Sequence, residues 1–191
     1  MTISTEQYNY ATKRVKEEGL EGQVTILLKD YREIIPEVYG KFDKITCFEM
    51  SEHVGIRNYQ TYMAQVRSLL NDDGLFFLQI AGLRRWWRYE DLIWGNFMGK
   101  YIFPGADASC PLAWDISQVE RGGFEVQTIR NQGVHYAHTI EMWYHNFVKN
   151  KATILKDYGT FAYRLHELFL AWSTMIARQG SSTVWLIVMT H

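Results

Sequence analysis

The side chains best suited to chemistry lie in short segments next to apolar runs. Glu52 and His53 follow residues 42–48, a β-branched run that reads as a buried strand. A carboxylate in such a loop can stabilise a positive charge developing in front of it, and a neighbouring imidazole can move a proton near neutral pH. His53 is equally suited to holding the loop through backbone hydrogen bonds. Tyr136 offers a hydroxyl donor and a ring face that attracts cations, or it is a core tyrosine at a strand end. At Asp30-Tyr31 an acid precedes an aromatic, a pair able to bind an amino group and stack on a purine; otherwise Tyr31 is an aromatic at the core edge. Gln7 belongs to a first helical turn, where solvation alone would explain it. His135, His138 and His145 have no carboxylate or cysteine in ligand spacing beside them, so no metal is expected. The cluster Arg84-Arg85-Trp86-Trp87-Arg88 suits lipid headgroups at a membrane surface. Its plainer reading is a solvated helix start with both tryptophans folded inward.

The elements that must position these groups alternate along the chain. Residues 5–18 have helical spacing, with Ser4 or Thr5 as N-cap and Gly19 just past the end. Residues 23–28 and 42–48 read as buried strands, with a helix-compatible stretch at 32–38 between them. Residues 59–70 form an amphipathic helix closed by the turn Asn71-Asp72-Asp73-Gly74, and residues 75–80 a further strand. Such alternation predicts an α/β fold with a parallel sheet and a ligand crevice at the strands' C-terminal ends. After Gly82 the pattern changes. Residues 84–99 and 140–178 read as helical and aromatic-rich, residues 103–114 as loop, and residues 124–130 and 183–189 as two late strands able to pair antiparallel.

Composition narrows the function. With 191 residues the chain suits one domain, and 20 basic against 21 acidic side chains leave a formal charge of -1, which provides no field for nucleic acid. The only two cysteines, Cys47 and Cys110, lie far apart, as expected of a reduced intracellular protein with inert thiols. The most apolar run, residues 168–177, is short of the roughly 20 residues a bilayer-spanning helix needs. Residues 1–7 lack the basic start and apolar stretch of a secretory signal. Aromatic residues make up 15% of the chain and gather after Trp86, which serves a large core or a pocket for a long apolar ligand.

Three stretches in order resemble the cyclopropane-fatty-acid-synthase family, which includes mycolic acid cyclopropane synthases and fungal sphingolipid C9-methyltransferases. They are Phe42-Asp43-Lys44-Ile45 running into Glu49-Met50-Ser51-Glu52-His53-Val54-Gly55, then Tyr101-Ile102-Phe103-Pro104-Gly105, then Gly133-Val134-His135-Tyr136 ahead of a helix over 139–147. The wording of Phe77-Leu78-Gln79-Ile80-Ala81-Gly82-Leu83-Arg84, Tyr89-Glu90-Asp91-Leu92-Ile93-Trp94 and Gly105-Ala106-Asp107-Ala108-Ser109 is similar to the sphingolipid branch.

The resemblance implies a Rossmann-like class I S-adenosylmethionine (SAM)-dependent methyltransferase sheet with helices on both faces. Residues 1–82 would be its cofactor-binding part and 83–191 its lipid-substrate part with the final strands. It implies that Thr2 and Gln7 approach the cofactor ribose and Asp30 and Tyr31 the adenine, with Phe48 and Glu49 at the end of the next strand. Glu52, Gln79, Tyr136 and the backbone of Ala81, with His53 beside Glu52, would form the catalytic site around a bicarbonate base. The family's fatty-acid enzymes carry a His at the position of Gln79; glutamine cannot take up a proton at neutral pH. The first strand and its glycine-rich loop are absent from this sequence, so a partial domain is expected.

The implied reaction is methyl transfer to the alkene of a sphingolipid long-chain base, a ceramide or glucosylceramide precursor. Cyclopropanation of phospholipid acyl chains is the alternative reaction, and an inactive lipid- or partner-binding fragment the alternative of another class. A membrane-surface location of endoplasmic-reticulum type is expected of a full-length parent.

Overall fold

The computed structural model describes residues 1–191 as two compact units, Met1–Phe42 and Asp43–His191. In the first unit α1 (Thr5–Glu17) begins where the Ser4 side chain accepts the Gln7 amide at 3.3 Å, filling one of the orphan donors of a helix start. Of the two expected candidates, Ser4 is the cap and Thr5 the first helical residue. Asp30 caps a single 3-10 turn, Tyr31–Glu33, and α2 (Pro36–Tyr39) follows.

The strand expected at residues 23–28 does not form. Its backbone pairs only at an isolated parallel bridge, Thr2 to Leu28, while Val24 and Leu28 stay 38% and 44% exposed. A β-branched run with one bridging residue for a neighbour and no buried face gains too little to hold a ladder.

The second unit carries a four-stranded sheet in the order β1-β2-β4-β3, formed by β1 (Phe42–Phe48), β2 (Leu70–Leu83), β3 (Glu125–Asn131) and β4 (Ser182–Thr190). β4 pairs antiparallel with both neighbours, from Phe76 opposite Met189 to Leu83 opposite Ser182 on one side and from Glu125 opposite Thr190 to Asn131 opposite Trp185 on the other. The antiparallel pairing of the two late strands is as the sequence predicts. Because side chains alternate along a strand, this register puts Phe76, Leu78 and Ile80 on one face with Trp185, Ile187 and Met189. Phe76, Leu78, Ile187 and Met189 are fully buried there, each worth about 1.5–3 kcal/mol relative to exposure. The opposite face receives Gln79 and Ala81 alongside Leu186 and Val184, and it is this face that holds the site.

No turn separates the first long helix of this unit from β2. α3 (Tyr59–Leu69) passes directly into extended backbone at Leu70, which is fully buried, and the expected turn 71–74 lies inside β2. Burial of Leu70 and a 2.8 Å hydrogen bond from Asn71 to the Asp43 carboxylate hold this stretch extended, against the local turn preference of its Asn, Asp and Gly.

The helix expected from residue 84 starts later, as α4 (Tyr89–Phe97). Asp91 decides the boundary: its carboxylate accepts the Arg88 amide at 2.7 Å and pairs with Arg84 at 3.1 Å, which keeps residues 84–88 outside the helix. Trp86 and Trp87 are consequently 81% and 56% exposed, not folded inward. A π-helical turn, Met98–Ile102, and a loop then lead to α5 (Leu112–Arg121), which begins inside the segment read as loop.

The helical region predicted at 140–178 is two helices, α6 (Gly133–Lys149) and α7 (Lys151–Arg178), the latter kinked at Gly159 with φ 81°. Ala137, Ile140, Leu170 and Ala177 form their shared core. α6 starts seven residues earlier than that expected region, so Tyr136 lies within its first turns and not ahead of it.

Candidate active site

The end of β1 carries the chain into the site through Glu49, the only non-glycine residue with positive φ, at 49°. Such a conformation is uncommon outside glycine, asparagine and aspartate and is retained where the surroundings over-determine it. Here the Glu49 amide donates to the Gln79 carbonyl at 3.0 Å, and both oxygens of its carboxylate are engaged. Oε1 accepts from Gln79 Nε2 at 2.8 Å and Oε2 accepts from the Tyr136 hydroxyl at 2.7 Å. Register places Gln79 for this role, and the early start of α6 places Tyr136. Burial, and then the Glu49 hydrogen bond and charge, raise the Tyr136 pKa well above the usual phenol value, so the phenol stays protonated and donates.

These three side chains line a cavity of about 530 Å³ together with His135, Trp143 and Leu186. That volume lies within the range of small-molecule pockets. The Tyr136 and Trp143 rings meet edge to face at 6.3 Å, so an aromatic wall stands beside the carboxylate.

Glu52 belongs to a second carboxylate site. It lies on the 3-10 turn Ser51–His53, is 6% exposed, and its Oε1 accepts the Ala81 amide at 2.7 Å. Oε2 has no hydrogen-bond partner, and neither has either carboxylate oxygen of Asp115. Ser51, Glu52, Tyr59 and Asp115 surround a cavity of about 10 Å³ with Asp107 and Cys110, room for about one water. Burial pushes Glu52 up to about 7 against the opposing Ala81 hydrogen bond. It pushes Asp115 up to about 8, with the Glu52 charge the next cause.

The four residues expected around one anion thus divide between two carboxylates, Gln79 and Tyr136 with Glu49, and Ala81 with Glu52. His53 is exposed and turns its ring edge to Phe103 at 6.5 Å. Phe48 is 62% exposed, with its ring 5.5 Å from Phe77. In the first unit Thr2 Oγ1 donates to Gln7 Oε1 at 2.6 Å, and Asp30 accepts from the Arg32 amide and guanidinium, whose hydrogen bonds lower its pKa to about 2. Tyr31 opens the 3-10 turn that Asp30 caps.

Asp115 went unrecognised in the sequence, although Asp115, Gln118 and Val119 share the buried stripe of α5 at i, i+3, i+4 spacing. An acid on that stripe is the signal that could have found it.

A family model described as mycolic acid cyclopropane synthetase matches residues 1–187. The chain belongs to that family. Sphingolipid C9-methyltransferase A of Emericella nidulans is 49% identical over 190 residues, which are 99% of this chain and 37% of that protein. The cyclopropane-fatty-acyl-phospholipid synthase of Escherichia coli strain K12 is 33% identical over 191 residues, all of this chain and 46% of that one. The chain therefore spans less than half the length of these curated relatives. Mycolic acid cyclopropane synthase CmaA1, solved in complex with SAH and CTAB, superposes with a TM-score of 0.89 at 20% identity, covering 99% of this chain and 68% of that one. This family member thus has the mixed α/β fold of class I SAM methyltransferases, as predicted.

Proposed function

We propose that this chain carries the methyl-transfer chemistry of a sphingolipid C9-methyltransferase, placing a methyl group on the alkene of a sphingolipid long-chain base. The observation that carries the reading is the 49% identity to such an enzyme across 99% of the chain.

The residues fit a cationic methyl donor, since the pocket wall offers a carboxylate, Glu49, held between two donors and flanked by the Tyr136 and Trp143 rings. SAM, when bound, supplies an electrophilic methyl group. The family resemblance assigns Thr2 and Gln7 to its ribose and Asp30 and Tyr31 to its adenine, all in the first unit, and separately assigns Phe48, at the end of β1, to cofactor binding. The apolar part of the cavity, Leu186 and Val184 with Trp143, would take the lipid chain and exclude water from the alkene. Glu52, with His53 beside it on the same turn, would support the site from the second carboxylate, Ala81 anchoring it. Bicarbonate is not required in this reading. No helix of the chain is long and apolar enough to cross a membrane; the exposed residues 85–89 would meet lipid headgroups at an intracellular membrane surface.

The test is incubation of the 191-residue chain with labelled SAM and a ceramide carrying an isolated alkene in its long-chain base, beside a phospholipid with monounsaturated acyl chains. The expected product is a methylated ceramide that keeps one olefinic proton by NMR. A cyclopropane on the phospholipid would establish the reaction of the Escherichia coli relative instead. No labelled lipid and no SAH binding by calorimetry would make the chain an inactive fragment.

A further inference from the structure

We propose that Glu49 is the base that removes the proton from the methylated substrate, a carboxylate built into the chain where an external anion would otherwise be needed. The proposal rests on the methyltransferase reading above and adds the missing proton acceptor.

Attack of an alkene on a methyl donor leaves a cation. The π pair forms the new carbon–carbon bond, the donor's carbon–sulfur pair returns to sulfur, and the adjacent carbon is left positive. The alkene is restored when the carbon–hydrogen pair of the methylated carbon becomes the new π bond and its proton goes to a base. That base must stand on the pocket wall. Among the side chains lining the cavity, only Glu49 and His135 carry a group that can serve as a proton acceptor, and His135 is exposed. Tyr136 is held as a donor, and Gln79 has no basic form.

Glu49 is also the group the structure is arranged around. Gln79 and Tyr136 come from different elements, β2 and α6, and each donates to a different oxygen of this carboxylate. The two donors hold the carboxylate in the cavity wall, where it faces the cation and then accepts the proton, which leaves through the pocket mouth. The positive φ of Glu49 turns its side chain off the strand line toward these donors. Glu52 is poorly placed to act as this base, because it does not line the larger cavity and its bonded oxygen faces the Ala81 amide.

The experiment compares wild type, Glu49→Gln and Glu49→Gly, with turnover on the alkene ceramide measured in buffer purged of bicarbonate and again with bicarbonate or formate added. Glycine tolerates the positive φ, so the second variant keeps the backbone and removes only the carboxylate. Expected are a loss of about 10²–10⁴-fold in Glu49→Gln, recovery of Glu49→Gly by formate, and a wild-type rate indifferent to bicarbonate. Turnover preserved in Glu49→Gln, or a wild-type rate that rises with bicarbonate, overturns the proposal and leaves the methyltransferase reading intact.

A binding measurement separates the two ideas if no lipid is methylated, an outcome that sinks the methyltransferase reading. A long-chain alkyltrimethylammonium, which mimics the substrate cation, is titrated calorimetrically against a neutral amphiphile of equal length. Roughly tenfold tighter binding of the cation by wild type than by Glu49→Gln is expected from one facing charge; equal binding overturns the role of Glu49.

Discussion

Two buried acids give the second carboxylate site a pH signature of its own. Asp115 titrates at about 8 in the folded chain against an ordinary value of 3.8, and Glu52 at about 7 against 4.5. Between the ordinary and folded values the unfolded chain has released these protons while the folded chain still holds them. Unfolding therefore releases protons, and stability falls as pH rises from about 4 to about 8, levelling above. Asp115→Asn copies the protonated carboxyl and removes its share of that slope. Melting curves from pH 4 to 9 should show the variant close to wild type at pH 4 and more stable at pH 8 by about 1–3 kcal/mol, the remainder of the shift being offset by an amide that inherits unpartnered neighbours. A wild-type melting temperature flat across this range would contradict the protonated pair. At this scale the sequence was informative in part: Glu52 and Tyr136 stand out by type and position, whereas the engagement of Glu49 depends on a backbone angle and a register that no residue spells out.

The start of α6 is where an element and the site meet. Gly133 is buried, its amide donates to Asn131 Oδ1 at 2.9 Å, and the same oxygen accepts from Thr183 Oγ1 at 2.6 Å. A Cβ added at Gly133 would stand 2.5 Å from Thr183 Oγ1 and 3.2 Å from Asn131 Oδ1, so Gly133→Ala must push the first turn of α6 away from the strands. Overpacking of this kind costs about 1–3 kcal/mol. Tyr136 would shift with the turn, so the variant should lose turnover even at temperatures where circular dichroism shows it fully folded. Unchanged turnover with a lowered melting temperature would mean that the Tyr136 bond to Glu49 survives the shift. The elements themselves were legible wherever a pattern coincided with burial: β3, β4, α1 and α3 lie close to where spacing put them. Residues 23–28 looked like a strand by composition but bury no face, and residues 71–74 looked like a turn but are held extended by their neighbours. The early start of α6 was hidden because Gly133 reads as a breaker when it is there for close packing.

Across the whole molecule the charge nearly cancels, at -1, yet its distribution is uneven at residues 84–89. Arg84 is held by Asp91, Arg85 lies over the Trp86 ring at 5.7 Å, and Trp86, Trp87 and Tyr89 are 81%, 56% and 71% exposed. Inward-folded tryptophans, the plainer expectation for this stretch, would have left only a solvated helix start. Three large aromatics held outward beside two further arginines suit the interface of an anionic bilayer, where rings settle at headgroup depth and each basic side chain contributes about 1 kcal/mol. In flotation assays with vesicles containing anionic lipid, Arg85→Ala combined with Arg88→Ala should weaken binding roughly 10- to 30-fold, and the wild-type affinity should fall as salt is raised. Trp86→Ala with Trp87→Ala should weaken binding to anionic and neutral vesicles alike, since ring insertion does not depend on charge. Turnover on a dispersed short-chain substrate should be unchanged in both pairs, because none of these residues lines the cavity of Glu49. Binding by the doubly substituted chains equal to wild type would show that the segment faces water, and that the lipid reaches the pocket without it.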